Sequence, residues 1–194
     1  MRRVVLGLGN PGARYQGTRH NVGQAIVEHF VAAERVTRTE RENSCRWCEA
    51  RPDVVLAVPQ VYMNESGAAA VWLLGRFDLA PLDLLVVHDD LDLPLGRMKL
   101  KRGGGSAGHR GIDSIADDLV SPEFCRLRVG VGRPEPGTEV IDWVLAPFAE
   151  AERATLARVM DAVATGIRVW LDESFERAVG QVNGIRLEAS TDAC

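Results

Sequence analysis

Aromatic side chains are scarce in this 194-residue sequence, at 6%, and long uninterrupted apolar runs are missing. No stretch approaches the ~20 apolar residues that cross a bilayer as a helix, so no membrane association is expected. The opening MRRVVLGLGNPG reaches glycine and proline before the apolar core of a secretion signal can form, and a cytoplasmic location is expected. Internal repeats, low-complexity segments and linkers are also missing. The simplest organisation is one domain over residues 1 to 184, with 185 to 194 as a loose C-terminal tail. Such a length buries a core without help from disulfides or metal.

Cysteine is limited to four residues, and only Cys45 and Cys48 are close, as a C-x-x-C. A structural zinc site would want a second pair or histidines at ligand spacing, and Cys125 and Cys194 supply neither. A redox pair normally opens a helix, whereas CRWCEAR alternates like a strand. The thiols therefore read as reduced, and neither metal nor cofactor is expected.

Net positive charge is lacking too, the formal balance being -4, but the charge is uneven. Between Arg97 and Arg133 eight basic residues (Arg97, Lys99, Lys101, Arg102, Arg110, Arg126, Arg128, Arg133) face four acidic ones (Asp113, Asp117, Asp118, Glu123). One face is thereby basic enough to meet a nucleic acid. Taken alone, the same residues also suit a strand edge kept from aggregating by Lys and Arg.

What is present alternates between strands and helices. RRVVLGLG reads as a buried strand ending at the turn NPG, followed by a helix to about residue 36 with Val22, Ile26, Phe30 and Ala33 on one stripe. CRWCEAR and DVVLAVP read as strands, Asn64 as the N-cap of a second helix, and DLLVVHD as a central parallel strand. GRMKLKR, a glycine loop, a helix from about Gly108 to Leu119 and the strand RLRVGVGRP follow, before a last helix over about 150 to 172. The fold class predicted is α/β: a single-domain three-layer sandwich with a mixed, largely parallel twisted sheet flanked by helices.

In such sheets ligands bind beyond the carboxyl ends of the strands. Asn10, Tyr62, Asn64, His88, Asp89, Asp90 and Asp92 fall at those ends, and His20 and Asn21 lead into the first helix from the same side. Two motif readings fail beside this convergence. GGGSAGHRG, residues 103 to 111, contains G-x-S-x-G, but the only histidine after Ser106 is His109, too near to complete a triad in the order that motif requires. GLGNPG has dinucleotide-loop spacing, but Pro11 stands where a helix should begin. HDDLD could ligate a divalent cation, but it lacks further ligands nearby. What remains is a histidine that can take a proton from water, an aspartate that can hold its ring, and amides that can donate to an oxyanion. From the residues alone this is a hydrolase with a possible RNA connection.

The blocks GLGNPG, YQGTRHNVG, PQVYMNESG, VVHDDLDLPLGRMKLKRGGGSAGHRGI, FCRLRVGVGRP and FERAVGQVNG, in this order from residue 3 to about 184, resemble the bacterial-type peptidyl-tRNA hydrolase family. The resemblance implies cleavage of the ester between peptide and terminal ribose of tRNA, freeing tRNA for translation, by a metal-free monomer whose partner is peptidyl-tRNA. It implies that His20 is the general base and Asp89 its orienting acid. Asn10 and Asn64 would bind substrate, Tyr15 and Met63 would line the same crevice, and Lys101 and Arg128 would clamp a tRNA phosphate; Asn21, Tyr62 and Arg110 are further substrate-binding candidates by their position in the chain. EVIDWVLAPF matches the family's lid. One position departs from the pattern: the family reads G-H-N-G where this chain reads G-H-R-G, and Arg110 brings only donors and a fixed charge where an amide brings both donor and acceptor. Pointing inward, Arg110 could stabilise an oxyanion, bind a phosphate or act on His20; pointing outward, it would leave the site one partner short. The rival expectation is a hydrolase-like fold kept as an RNA- or partner-binding module.

Overall fold

The structure, a computed structural model, describes residues 2 to 188. In chain order the elements are β1 (Arg3–Gly7), α1 (Val22–Ala33), β2 (Glu40–Glu42), β3 (Cys45–Arg51), β4 (Val54–Pro59), α2 (Ser66–Phe77), β5 (Leu84–Asp90), β6 (Met98–Arg102), α3 (Arg110–Asp118), β7 (Cys125–Gly130), α4 (Val140–Leu145), α5 (Arg153–Asp172) and α6 (Phe175–Asn183). The strands form one seven-stranded sheet in the order β2-β3-β4-β1-β5-β7-β6. Its centre, β4-β1-β5-β7, is parallel, while β2-β3, β3-β4 and β6-β7 pair antiparallel.

The central strands are apolar on both faces because both faces are covered. Val5, Leu85 and Val87 pack with Ile26 and Phe30 of α1 and with Val163 and Ile167 of α5. Val4, Leu6 and Val86 pack on the other side with Ala70 and Leu73 of α2 and Ile112 and Ile115 of α3. The result is the predicted three-layer α/β sandwich. The connections part to opposite faces at β1, which is followed by α1 on one face, while β4 beside it is followed by α2 on the other. The open edge of the sheet between these connections is where a ligand crevice belongs.

Several boundaries differ from expectation. Asn64 lies inside a 3-10 turn, Met63–Glu65, and no side chain caps α2. The last helix is α6, not the one ending at 172; a 3-10 turn, Glu150–Glu152, precedes α5. The short β2 and α4 were not predicted, being too brief to show a period. The expected tail begins ordered: Leu187 N–H donates to Gly96 O, and Arg186 bridges Arg97. The remainder of that tail, 189 to 194, lies outside the described residues. Cys45 and Cys48 point to opposite faces of β3, in separate cores, so they cannot pair. Burial pushes the Cys45 thiol up to about 12, which keeps it inert.

Candidate functional site

The site starts from a close approach between α1 and β5. A Cβ on Gly23 would lie 2.1 Å from the carbonyl oxygen of Val87, so only glycine lets the start of α1 rest on this strand. That contact brings the 3-10 turn Arg19–Asn21 against the end of β5. His20 Nδ1 then lies 2.9 Å from Asp89 Oδ1. With Nδ1–H given to the carboxylate, Nε2 carries the ring's lone pair, and no described residue occupies it.

Asp89 has a second partner that sequence reasoning missed. His109 Nε2 lies 2.9 Å from the same Oδ1. At the other side of its ring, Nδ1 accepts the N–H groups of Gly111 (3.1 Å) and Ile112 (3.3 Å), so His109 is the N-cap of α3. Those donors fix the tautomer: the ring's proton must be on Nε2, aimed at Asp89. The predicted start of the helix at about Gly108 enclosed His109 and hid its place at the N-cap, a position where acceptors are preferred.

Asp89 is 3% exposed. Burial alone would raise its carboxyl, but the hydrogen bonds and charge of His109 and then His20 outweigh it and hold Asp89 well below the usual carboxylate range. The donor atoms of His20, Asp89 and His109 lie within 4.8 Å of one another, the composition of a two-histidine, one-carboxylate metal site. A metal would need the lone pair at His109 Nε2, and the backbone donors at Nδ1 place the proton there instead. The triplet is thus built as a hydrogen-bonded acid and two rings.

His88 is not part of the crevice. It is buried on the core side, where its Nδ1 donates to the Asp89 carbonyl, and burial followed by the charges of His109 and Arg126 holds it well below the usual histidine range.

Asn10, after β1, is fixed by three bonds. Its Oδ1 accepts Met63 N–H (2.8 Å), while Asn21 accepts Asn10 N–H and donates to Asn10 O, each at 2.9 Å. With Oδ1 engaged, the amide must present Nδ2, which has no partner among the described residues. Asn21, expected to bind substrate, is buried and bonded at both ends of its amide to Asn10, whose position it sets. Met63 is likewise buried, its sulfur packed where a Cβ on Gly111 would sit, and only its N–H serves the site. Tyr62 is 50% exposed and meets Tyr15 edge-on at 6.5 Å, and Asn64 is exposed beside them.

Beside His20 opens a crevice of about 270 Å³, walled by the ends of β5 and β7, the glycine loop and α4. Arg110 and Arg133 line it together with Asp92, Ile141 and Val144. The wall made by α4 is tied to the neighbour of His20: Arg19 stacks on Trp143 at 3.8 Å and pairs with Glu152 at 2.6 Å. Ser106 Oγ accepts the N–H of Gly108 at 3.1 Å, and no described histidine bonds to it, so the G-x-S-x-G is a turn and not a nucleophile elbow.

Lys99, Lys101, Arg126 and Arg128 share one face of β6-β7, since Lys99 opposes Arg128 and Lys101 opposes Arg126. Arg126, 2% exposed, donates to the carbonyls of Gly104 and Gly105 and so holds the glycine loop against this face. Burial, then the charges of Arg126 and Arg128, pushes the Lys101 ammonium down against the opposing pull of Asp90. Arg128 Nε is bonded to Asp90.

A family model described as Peptidyl-tRNA hydrolase matches residues 4–190. Relatives named peptidyl-tRNA hydrolase include that of Symbiobacterium thermophilum, 39% identical over 188 residues (94% of this chain, 100% of the relative). That of Aquifex aeolicus is 40% identical over 184 residues (93% and 96%). The crystal structure of peptidyl-tRNA hydrolase from Acinetobacter baumannii superposes with a TM-score of 0.85 at 29% identity, covering 96% of this chain and 97% of that one.

Proposed function

The chain belongs to the peptidyl-tRNA hydrolase family and is an enzyme that hydrolyses peptidyl-tRNA; from that premise we propose that His20 is its general base. The observation that carries this reading is the pairing of His20 Nδ1 with Asp89, which leaves Nε2 as the one basic nitrogen of the triplet free to meet water. In the reaction, water attacks the ester carbonyl carbon while Nε2 takes its proton, and Asp89 stabilises the imidazolium through Nδ1–H. Asn10 Nδ2 donates to the oxyanion or to the neighbouring peptide, its direction set by Met63 and Asn21. When the tetrahedral carbon collapses, the ribose oxygen leaves and regains the proton from His20.

Strand order divides the substrate. Asn10, Tyr62 and Asn64 follow β1 and β4 on one flank of Asp89, with Tyr15 against Tyr62, and this flank suits the peptide. The cationic flank at β7 and β6 suits the RNA, with Lys101 and Arg128 as a phosphate clamp. Asp90 and Lys101 are four residues apart along β7, about 13 Å at ~3.3 Å per residue. Binding energy gathered on the RNA, remote from the ester, explains how free peptides are ignored. The reading extends to a cytoplasmic monomer that returns tRNA from stalled translation.

The test is single-turnover release of peptide from purified peptidyl-tRNA. His20→Ala should lose about 10²–10⁴-fold in rate while its thermal melt stays close to the parent's, and Ser106→Ala should stay within a few-fold. A serine variant as inactive as the histidine variant would overturn the direct attack of water. Binding of the RNA without cleavage by the parent protein would favour the binding-module reading.

A further inference from the structure

The crevice beside His20 holds three carboxylates, and each has its partners. Asp89 accepts from His20 and His109. Asp90 accepts from Arg128 and from the N–H of Asp92. Asp92 takes Arg133 in two contacts, at 2.6 and 3.1 Å. Arg110 is the lining cation left over: among the described residues it makes no hydrogen bond and no ion pair. It is also the first residue of α3, where the helix presents its positive end, and Asp113 in the same turn does not bond to it. An exposed guanidinium in this position lacks an anion, and it stands on the wall of the cavity that holds the base.

Given a substrate that is an RNA ester, as proposed above, the anion nearest the reacting bond is the phosphodiester on the 5′ side of the esterified nucleoside. We propose that Arg110 binds this phosphate. Its planar donors match two phosphate oxygens at once, and its charge cannot titrate away. Arg133 lines the same cavity, but its fork is already closed on Asp92. Arg110 thus acts as a substrate-binding residue that fixes the terminal nucleotide, and through it the ester, against His20. This contact uses no residue of the cationic cluster on β6-β7, whose Arg128 reaches the same crevice through Asp90.

The experiment compares the parent protein with Arg110→Gln and Arg110→Lys on peptidyl-tRNA over a range of NaCl. A second arm compares an N-acetyl-aminoacyl ester of adenosine, which has no phosphate, with the same ester of cytidylyl-adenosine, which has one. Arg110→Gln should raise KM far more than it changes kcat. It should flatten the plot of log kcat/KM against log salt by about 0.7, the release from one single-strand phosphate. The preference for the phosphate-bearing ester should narrow by about tenfold, the loss of one charge-assisted hydrogen bond, and Arg110→Lys should keep most of the salt slope. An unchanged salt slope and unchanged ester preference in Arg110→Gln would overturn the inference, and so would a fall in kcat at constant KM, which would place Arg110 at the oxyanion. A parent protein inert on peptidyl-tRNA in every salt would overturn the activity itself, a different result from either.

Discussion

At the scale of single residues, His109 carries two tasks on two nitrogens. Nδ1 caps α3 and Nε2 holds Asp89 in the direction that His20 needs. The tasks can be separated, because asparagine is a strong N-cap but too short to reach Asp89. His109→Asn should therefore leave the melting temperature within a few degrees and lower kcat by about 10–100-fold, the worth of a hydrogen bond to a charged group. Its pH-rate profile should also change shape, since the stabilisation of the His20 imidazolium is altered, an effect that a purely structural role would not produce. Full activity in this variant would remove His109 from the machinery. Arg126 works by the same logic one step further out, steadying the loop that delivers His109.

At the scale of elements, α3 is well started and poorly ended. Its carboxyl end makes both bonds of a Schellman turn, Ser121 N–H to Ala116 O and Val120 N–H to Asp117 O. The residue in the left-handed position is Val120, with φ of 51° and 92% exposure. A β-branched side chain is strained there, and glycine is the residue that fits. Val120→Gly should stabilise the protein by about 1 kcal/mol, raising the melting temperature by ~2–4 °C, with activity retained. A lower melting temperature would show that the turn's strain is relieved in some other way. On the opposite wall, α4 gains its position from Arg19, whose stacking on Trp143 joins the residue before His20 to the side of the crevice.

At the scale of the whole molecule, the carboxyl end of β5 places ionisable groups inside the fold. His88 is buried and held well below its usual range, chiefly by burial, while the unfolded chain binds a proton there near pH 6.5. Below that pH the unfolded state holds more protons than the folded one, so stability falls as pH drops, at up to about 1.4 kcal/mol per pH unit. Asp89, also lowered, adds a second loss once pH falls below the ordinary carboxylate value of about 4. The urea midpoint should hold above pH 7 and decline steadily from about pH 6.5 toward pH 4, and His88→Leu should remove the first part of that decline. A midpoint that stays flat from pH 8 to pH 5 would contradict the buried neutral ring.

The sequence by itself determined the sandwich and the partners at its edge. Continuous apolar strands such as VVLAV and LLVVH require cover on both faces, helical stripes such as that of α1 supply it, and polar residues at strand ends mark where ligands meet the sheet. His20, Asp89 and Asn10 stood out as candidates because their residue types suit only a few chemistries in that position. The tertiary structure decided which of their neighbours touch. His109 and Asp89 are twenty residues apart, and only the climb of the glycine loop over Arg126 makes them partners. Asn21 and Met63 looked like substrate ligands until the turns folded them inward onto Asn10. Arg110 stands out only once every other charge in the crevice is seen to be paired. Residue type and period follow from local chemistry, whereas pairing depends on close approach between distant segments, which no local pattern encodes.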